Sequence, residues 1–225
     1  MYKRVELRVA LQSGEMEIHA PHETVHSWRE VTRQLAIITA GVLIALAFEG
    51  IVSWFDHRIL VREAVANIRR EIADNARELE GLFVNIAQEK KSLEHAAEIA
   101  QMLVDHKKLE HESLNLDFHG AELGDASRKT AEVTGAFGYM DYAEVEKYAA
   151  VYALQERFHR LQDRVSENFI NASGGIRTLT DAEKPDTLQL QQWKAQIGVG
   201  LATLVWEEDV GRQLLKRYQA TLEGR

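Results

Sequence analysis

The residues whose spacing best matches a known chemistry are His22, Glu23 and His26, in the pentapeptide HETVH. In an H-E-x-x-H pattern two histidines one helical turn apart bind zinc, and the glutamate activates a water molecule. Pro21 directly precedes the first histidine and does not suit the helix interior in which metalloproteases hold this motif. A third ligand would have to come from elsewhere, so a zinc metalloprotease ranks third, after the two functions given at the end of this section.

A second group of metal-capable side chains lies in the middle of the chain: Asp105, His106, Glu110, His111, Asp117 and His119. Their spacing reproduces no known metal site, and polar connectors between helices commonly collect such residues. We therefore interpret this group as part of a solvated connector. No glycine-rich phosphate loop, G-x-S-x-G elbow or dinucleotide fingerprint occurs. The sequence thus predicts no catalytic, cofactor-binding or metal-binding residue.

Composition restricts the class of protein. The chain has 225 residues, 45% of them hydrophobic, a formal net charge of −8 and no cysteine. Disulfides, zinc–thiolate sites and thiol catalysis are thereby excluded, and the dispersed basic residues give no reason to expect nucleic-acid binding. The only two prolines, Pro21 and Pro185, each precede a predicted helix start. We expect an all-α fold.

The longest predicted helix, against which the later helices are expected to pack, begins with the apolar stretch 35–55, LAIITAGVLIALAFEGIVSWF. A hydrocarbon core of roughly 30 Å needs about 20 helical residues, so this stretch predicts one membrane span, with Glu49 near an interface or facing a partner helix. Interface-type residues flank it: Trp28, Arg29, Arg33, Trp54, His57 and Arg58. The alternatives are a buried core helix and, less well supported, a signal peptide.

One face of this stretch is small and then polar, since Gly41, Ala45, Glu49, Ser53 and His57 follow at intervals of four. Small residues allow a second membrane helix to approach closely. Beyond the span a heptad pattern places the following residues on one stripe: Val61, Val65, Ile68, Ile72, Asn75, Leu79, Leu82, Ile86, Glu89, Leu93, Ala96, Ala100 and Leu103. All but Asn75 and Glu89 are apolar, which predicts one helix continuing to about Lys107.

This stripe has two interpretations. Asn75 could fix the register of a parallel dimer, or it could be a polar position inside a bundle. Later helices with apolar faces favour the bundle: a short one from Asp125, one from Asp141 to Gly174 and Gly175, and one from Pro185 onward. We interpret the aromatic set as core: Tyr139, Tyr142, Tyr148, Tyr152 and Phe158.

The predicted organisation is therefore an N-terminal tail (1–26), an interfacial entry and transmembrane helix (27–56), and a helical bundle domain (57–225). The long amphipathic helix is expected to pack with two later helices as an antiparallel bundle. Arginines close to the span number two before it, Arg29 and Arg33, and four after it, Arg58, Arg62, Arg69 and Arg70. The basic residues Lys3, Arg4 and Arg8 offset this difference, so the side of the membrane is left open.

The block from His26 to Ile72, together with TGAFGYMDY at 134–142, resembles an uncharacterised bacterial family of single-span membrane proteins with a helical C-terminal domain. The resemblance covers about half of the chain and implies a single-pass protein of the bacterial inner membrane. It supplies no activity or catalytic residue.

The sequence favours a membrane-anchored helical interaction or scaffold module without catalytic activity. Its expected partners are the lipid bilayer and either a second copy of the chain or another membrane protein. The alternative is a ligand-binding or sensor bundle that signals through the membrane helix.

Overall fold

The structure, a computed structural model, describes residues 27–107, 114–180 and 186–224, with the backbone alone for 176–180. It contains helices α1 (Trp28–Val104), α2 (Ala126–Val133), α3 (Tyr142–Thr180) and α4 (Thr187–Leu222), and a 3₁₀ helix at Ala136–Tyr139. These ranges contain no strand, so the predicted all-α fold class is confirmed.

The chain divides into two units, Met1–Val52 and Ser53–Arg225, and the 77-residue α1 contributes to both. Every described residue of the first unit is exposed, with Leu35, Val42 and Phe48 at 62%, 53% and 65%. By length and composition this helix is apolar enough to cross a membrane, with a mean hydropathy of 2.4 over a window that has no buried residue. A core helix of the same chain would be buried, so that alternative loses its support.

The two ends of α1 have recognisable caps. At the start, the Ser27 hydroxyl accepts a hydrogen bond from the Arg29 N–H at 3.3 Å. At the end, His106 adopts a left-handed conformation with φ 55°, and the Lys107 N–H donates to the Met102 carbonyl at 2.9 Å. A left-handed residue followed by such a bond closes a helix in the Schellman manner. The long helix therefore ends three residues before the predicted limit at Lys107.

The heptad stripe of α1 is buried within the second unit. Its positions from Ile68 to Ala100 are all buried, including Asn75 and Glu89, while Val61, Val65 and Leu103 are half-buried. The later helices supply the other side of this core through residues such as Phe158, Leu204 and Tyr218. The stripe is thus covered by the chain's own helices, in agreement with the bundle interpretation.

Helix directions follow from the order of polar contacts. Contacts between α1 and α4 run in opposite sequence order: Arg69 with Thr221, Lys90 with Glu208, and Gln101 with Lys194. Contacts between α1 and α3 run in the same order: Glu71 with Tyr152, and Asn75 with Gln155. Helix α4 is therefore antiparallel to α1 as predicted, whereas α3 is parallel to it. The antiparallel prediction fails for α3 because residues 114–125 lead the chain back along the bundle before α3 begins.

Helix α3 continues through Gly174 and Gly175, where the sequence predicted its end. Gly175 has a packing role instead, because a Cβ there would lie 2.3 Å from Cδ1 of Trp193 on α4. The indole Nε1 of Trp193 donates to the Ala172 carbonyl at 2.8 Å. The glycine thus allows a tryptophan to lie against the α3 backbone. The helix starts predicted at Asp125 and near Pro185 agree with α2 and α4, whose N-cap residues are Asp125 and Asp186.

Candidate functional site

The structure does not assemble the predicted metal-capable residues into a site. His22, Glu23, His26, Glu110 and His111 lie outside the described residues. Asp105, His106 and Asp117 are exposed, and only His119 contacts a buried acidic group. Within the described ranges, no group of three or more histidine, aspartate or glutamate side chains has the geometry of a metal site.

The predicted solvated connector is in fact extended and docked against the bundle from residue 114 to 125. Leu114, Leu116 and Phe118 are half-buried and alternate with exposed residues, and after the exposed pair His119 and Gly120 the alternation resumes with the buried residues Ala121 and Leu123. A period of two is typical of extended backbone with one buried face. The prediction of a solvated loop was wrong here because the alternating residues bury against the core.

Side chains of α1 and α3 satisfy the backbone of this docked segment. Gln162 accepts from the Ala121 N–H at 2.9 Å and donates to the Ala121 carbonyl at 3.1 Å. In the same way, Asn75 accepts from the Gly124 N–H and donates to the Gly124 carbonyl, both at 2.8 Å. An amide side chain that contacts both backbone groups of one residue replaces a neighbouring strand, so the segment needs no sheet. Asn75 thus belongs to the bundle rather than to a dimer seam.

A buried polar centre links all of these elements. Gln155 of α3 donates to the Gly124 carbonyl at 2.9 Å. Its Oε1 accepts from Asn75 Nδ2 at 3.2 Å and from the Tyr218 hydroxyl of α4 at 2.6 Å. The three side chains are nearly inaccessible, with exposures of 2%, 4% and 0% for Gln155, Asn75 and Tyr218. Buried polar groups that are fully bonded fix one packing arrangement over its competitors.

Two tyrosines of α3 are held by carboxylates near one end of this network. Tyr152 donates to Glu71 Oε1 at 2.6 Å, and Glu71 Oε2 accepts from the Ser127 N–H at 2.7 Å. Tyr148 donates to Glu144 at 3.0 Å. Burial, reinforced by the Glu144 carboxylate, raises the pKa of Tyr148 to about 12. These hydroxyls therefore act as donors throughout the physiological pH range.

The feature with the clearest chemical potential is a pair of buried carboxyl groups, Glu89 of α1 and Glu207 of α4, exposed to 3% and 0%. Glu89 Oε1 accepts from the His119 N–H at 2.7 Å and lies 3.5 Å from His119 Nδ1. Glu89 Oε2 and both oxygens of Glu207 have no hydrogen-bond partner among the described residues. An ionised carboxylate without a partner is very costly to bury, so protonation is the favoured state of Glu207.

The electrostatics of the pair agree with this geometry. Burial raises the pKa of Glu89, and the hydrogen bonds and charge of His119 partly oppose the rise. Burial, and then the negative charge of Glu89, raise the pKa of Glu207 to about 8. Among the described residues, His119 is the titratable group that faces Glu89, and Glu89 is the one that faces Glu207. The site can store and release a proton near neutral pH.

Sequence reasoning identified Glu89 as a polar stripe position but missed Glu207, Gln155 and Gln162. A signal for Glu207 was present, because it falls on the apolar face of α4 between Leu204 and Leu214 at helical spacing. Gln155 carries the same signal on α3, since it lies between the buried Tyr152 and Phe158 at helical spacing. Gln162 is half-buried, and its bonds to the Ala121 backbone gave no such signal. Of the aromatic set, Tyr148, Tyr152 and Phe158 are core as predicted, whereas Tyr139 and Tyr142 are 54% and 82% exposed.

Comparisons of the chain with protein-family models, curated proteins and solved structures gave no match. The resemblance to bacterial single-span membrane proteins therefore stays a prediction.

Proposed function

We propose that the protein is a membrane-anchored helical interaction or scaffold module, inserted once in the bacterial inner membrane and associating with itself or with other membrane proteins. The observation that carries the proposal is the complete exposure of the apolar part of α1, beside a bundle that buries its own stripe. Apolar surface of this extent requires lipid or protein cover. The proposal assigns no catalytic role to any residue.

The surface offered to a partner helix is the small face of the span. Gly41 and Gly50 have no atom within 4 Å of the position that a Cβ would occupy, so no part of the described chain covers them. Gly41, Ala45 and Glu49 lie on one face, where close backbone approach and a carboxyl hydrogen bond would both favour association in lipid. The bundle stripe does not offer a comparable surface, because Leu82 is only 3% exposed.

The test uses cysteines placed singly in a chain that has none. We expect Gly41→Cys to form disulfide-linked dimers in native membranes under mild oxidation, whereas Leu43→Cys, on the opposite face of the helix, should not. Leu82→Cys should neither cross-link nor react with thiol reagents before unfolding. Extraction of the chain by alkaline carbonate would refute the membrane anchor. Equal cross-linking at 41 and 43 would refute a specific face.

The buried carboxyl pair favours a second candidate, a proton-sensing bundle that signals through the membrane helix. Ionisation of Glu207 would place two charges in the core shared by α1 and α4, and packed cores respond to such changes by switching arrangement. Because the cysteine thiolate itself titrates in this range, the two proteins are compared at each pH: this candidate predicts that cross-linking at position 41 matches that of the Glu207→Gln variant at pH 6 and departs from it at pH 9. If the two proteins give the same cross-linking yield at every pH, the sensor function is refuted and only the scaffold function remains.

A further inference from the structure

An open cleft lies within the second unit, at the end of the apolar stretch and the residues that follow it. It has a volume of about 480 Å³. Its principal lining residues are Trp54, His57, Arg58 and Arg62 of α1, with Asp141 and Glu144 at the start of α3. Basic groups thus come from one helix and acidic groups from another. The bundle uses neither set for its core, because the stripe of α1 lies on other positions.

The basic side of the cleft suits a phosphate. Arg58 and Arg62 are one helical turn apart, both exposed, and within the described part of the chain neither takes part in an ion pair. The guanidinium of Arg58 lies over the Trp54 ring at 4.9 Å, which holds it in place at the cleft. Planar guanidinium groups bind phosphate oxygens through paired N–H donors.

The acidic side suits a primary ammonium group. Asp141 is exposed, and Glu144 Oε1 accepts from the Tyr148 hydroxyl at 3.0 Å, while its Oε2 has no hydrogen bond to the described part of the chain. The two sides are held together by a stacking contact: the rings of His57 and Tyr139 are 3.6 Å apart with planes inclined by 16°. This stack ties the 3₁₀ helix before Asp141 to α1, so the spacing between the basic and acidic groups is set by the fold.

We propose that this cleft binds a phospholipid headgroup of the phosphoethanolamine type, with its phosphodiester on Arg58 and Arg62 and its ammonium on Asp141 and Glu144. Trp54 lines the cleft and also belongs to the apolar stretch, which favours a ligand presented by the bilayer over a soluble one. The carboxylates disfavour a net anionic headgroup. A quaternary ammonium could not donate hydrogen bonds to them. The inference rests on the proposed membrane anchor.

Native mass spectrometry of the full chain in detergent tests the inference, with phosphatidylethanolamine, phosphatidylcholine or phosphatidylglycerol added at equal concentration. We expect phosphatidylethanolamine to be retained preferentially. The double variant Arg58→Gln/Arg62→Gln removes both charge-assisted contacts to the phosphodiester and should weaken the retention of phosphatidylethanolamine by at least about tenfold. The matched control is Arg70→Gln/Arg77→Gln, which removes two exposed arginines of the same helix outside the cleft and should change nothing. Asp141→Asn should remove the preference over phosphatidylcholine.

Three results would overturn the inference: equal retention of the three lipids, retention unaffected by the arginine pair, or competition by free phosphoethanolamine at the concentration of the lipid. The last would point to a soluble ligand. Alkaline carbonate extraction of the chain from membranes is measured in parallel. Extraction refutes the membrane anchor itself, whereas a chain that resists extraction but shows no headgroup preference refutes only the cleft.

Discussion

Glu207 on α4 and Glu89 on α1 lie buried in one region of the bundle, close enough for the charge of Glu89 to raise the pKa of Glu207. Three of their four carboxyl oxygens have no hydrogen-bond partner among the described residues. Two ionised carboxylates could not persist there, because each would be desolvated and each would repel the other. The bundle therefore depends on at least one proton being retained in its core.

This dependence predicts a stability that falls as pH rises. The folded pKa of Glu207, about 8, exceeds the ordinary value of 4.5, so the folded chain binds the proton more tightly than the unfolded chain. The stabilisation is complete below pH 4.5 and is lost progressively up to about pH 8. The total loss is on the order of 5 kcal/mol. Glu207→Gln cannot ionise, so its free energy of unfolding should lack this decline, as measured by urea titration across pH 4.5 to 9.

The neighbouring Glu208→Gln variant is the matched control. Glu208 is bonded to Lys90 and Arg212, which lower its pKa. Its removal should therefore leave the decline above pH 4.5 intact. If Glu207→Gln and the unmodified chain lose stability in parallel between pH 5 and pH 8, Glu207 does not hold a proton in the folded bundle.

A second prediction, independent of the carboxyl pair, concerns Asn75 and the docked segment. Asn75→Ala leaves the Gly124 N–H without its partner at 2.8 Å and removes one donor from Gln155 Oε1. Asn75→Ala removes three hydrogen bonds, two to the Gly124 backbone and one to Gln155, each contributing about 1 kcal/mol, so we expect a destabilisation of about 3 kcal/mol in thermal or urea unfolding. Asn85→Ala removes an exposed asparagine of the same helix and should change stability by less than about 0.5 kcal/mol.

Equal effects at positions 75 and 85 would show that the Asn75 contacts contribute nothing to the folded state. A larger effect at 75 accompanied by new proteolysis within residues 114–125 would locate the damage in the docked segment, which is the expected result.

The amphipathic pattern was sufficient to predict which residues of α1 are buried, because the apolar neighbours three and four positions away identify each residue of the stripe. The same holds for the start of α4, where Asp186 caps the helix by accepting from the Leu188 N–H at 3.4 Å. Asn75 and Glu89 were recognised as the polar exceptions on the stripe. Each of these features depends on residues within a few positions along the chain, so the sequence alone was sufficient to predict it.

The docked segment shows why other features could not be predicted. Its alternation of Leu114, Leu116 and Phe118 is visible in sequence, but it is too short to indicate what the apolar face packs against. Phe118 packs against Phe169 of α3, and the backbone of the residues that follow it bonds to Gln162 and Asn75, all of them far away along the chain. Gly175 is a comparable case, since a glycine pair predicts a helix end unless one knows that Trp193 fills the space of its missing side chain.

The adjacent glycines of α3, Gly174 and Gly175, allow a test substitution and its control at neighbouring positions. Gly175→Ala would bring a methyl group to 2.3 Å from Trp193 Cδ1 and force the indole away from the Ala172 carbonyl. Trp193 is only 3% exposed, so it has little room to move. We expect a loss of about 2 kcal/mol or more, together with a red-shifted tryptophan emission. At Gly174 no atom of another part of the described chain lies within 4 Å of an added Cβ, so Gly174→Ala should instead stabilise the helix by about 0.5 to 1 kcal/mol. Stabilisation at both positions would exclude the close contact.

The C-terminal cap of α1 yields a prediction of opposite sign, a stabilising substitution. His106 holds a left-handed conformation, φ 55°, which costs a residue with a Cβ about 1 kcal/mol. His106→Gly should therefore raise the free energy of unfolding by somewhat less than that amount, because glycine also gains freedom in the unfolded chain. His106→Ala keeps the Cβ and should give no gain. A gain from alanine equal to that from glycine would mean that the imidazole, rather than the backbone conformation, is the source of strain at this cap.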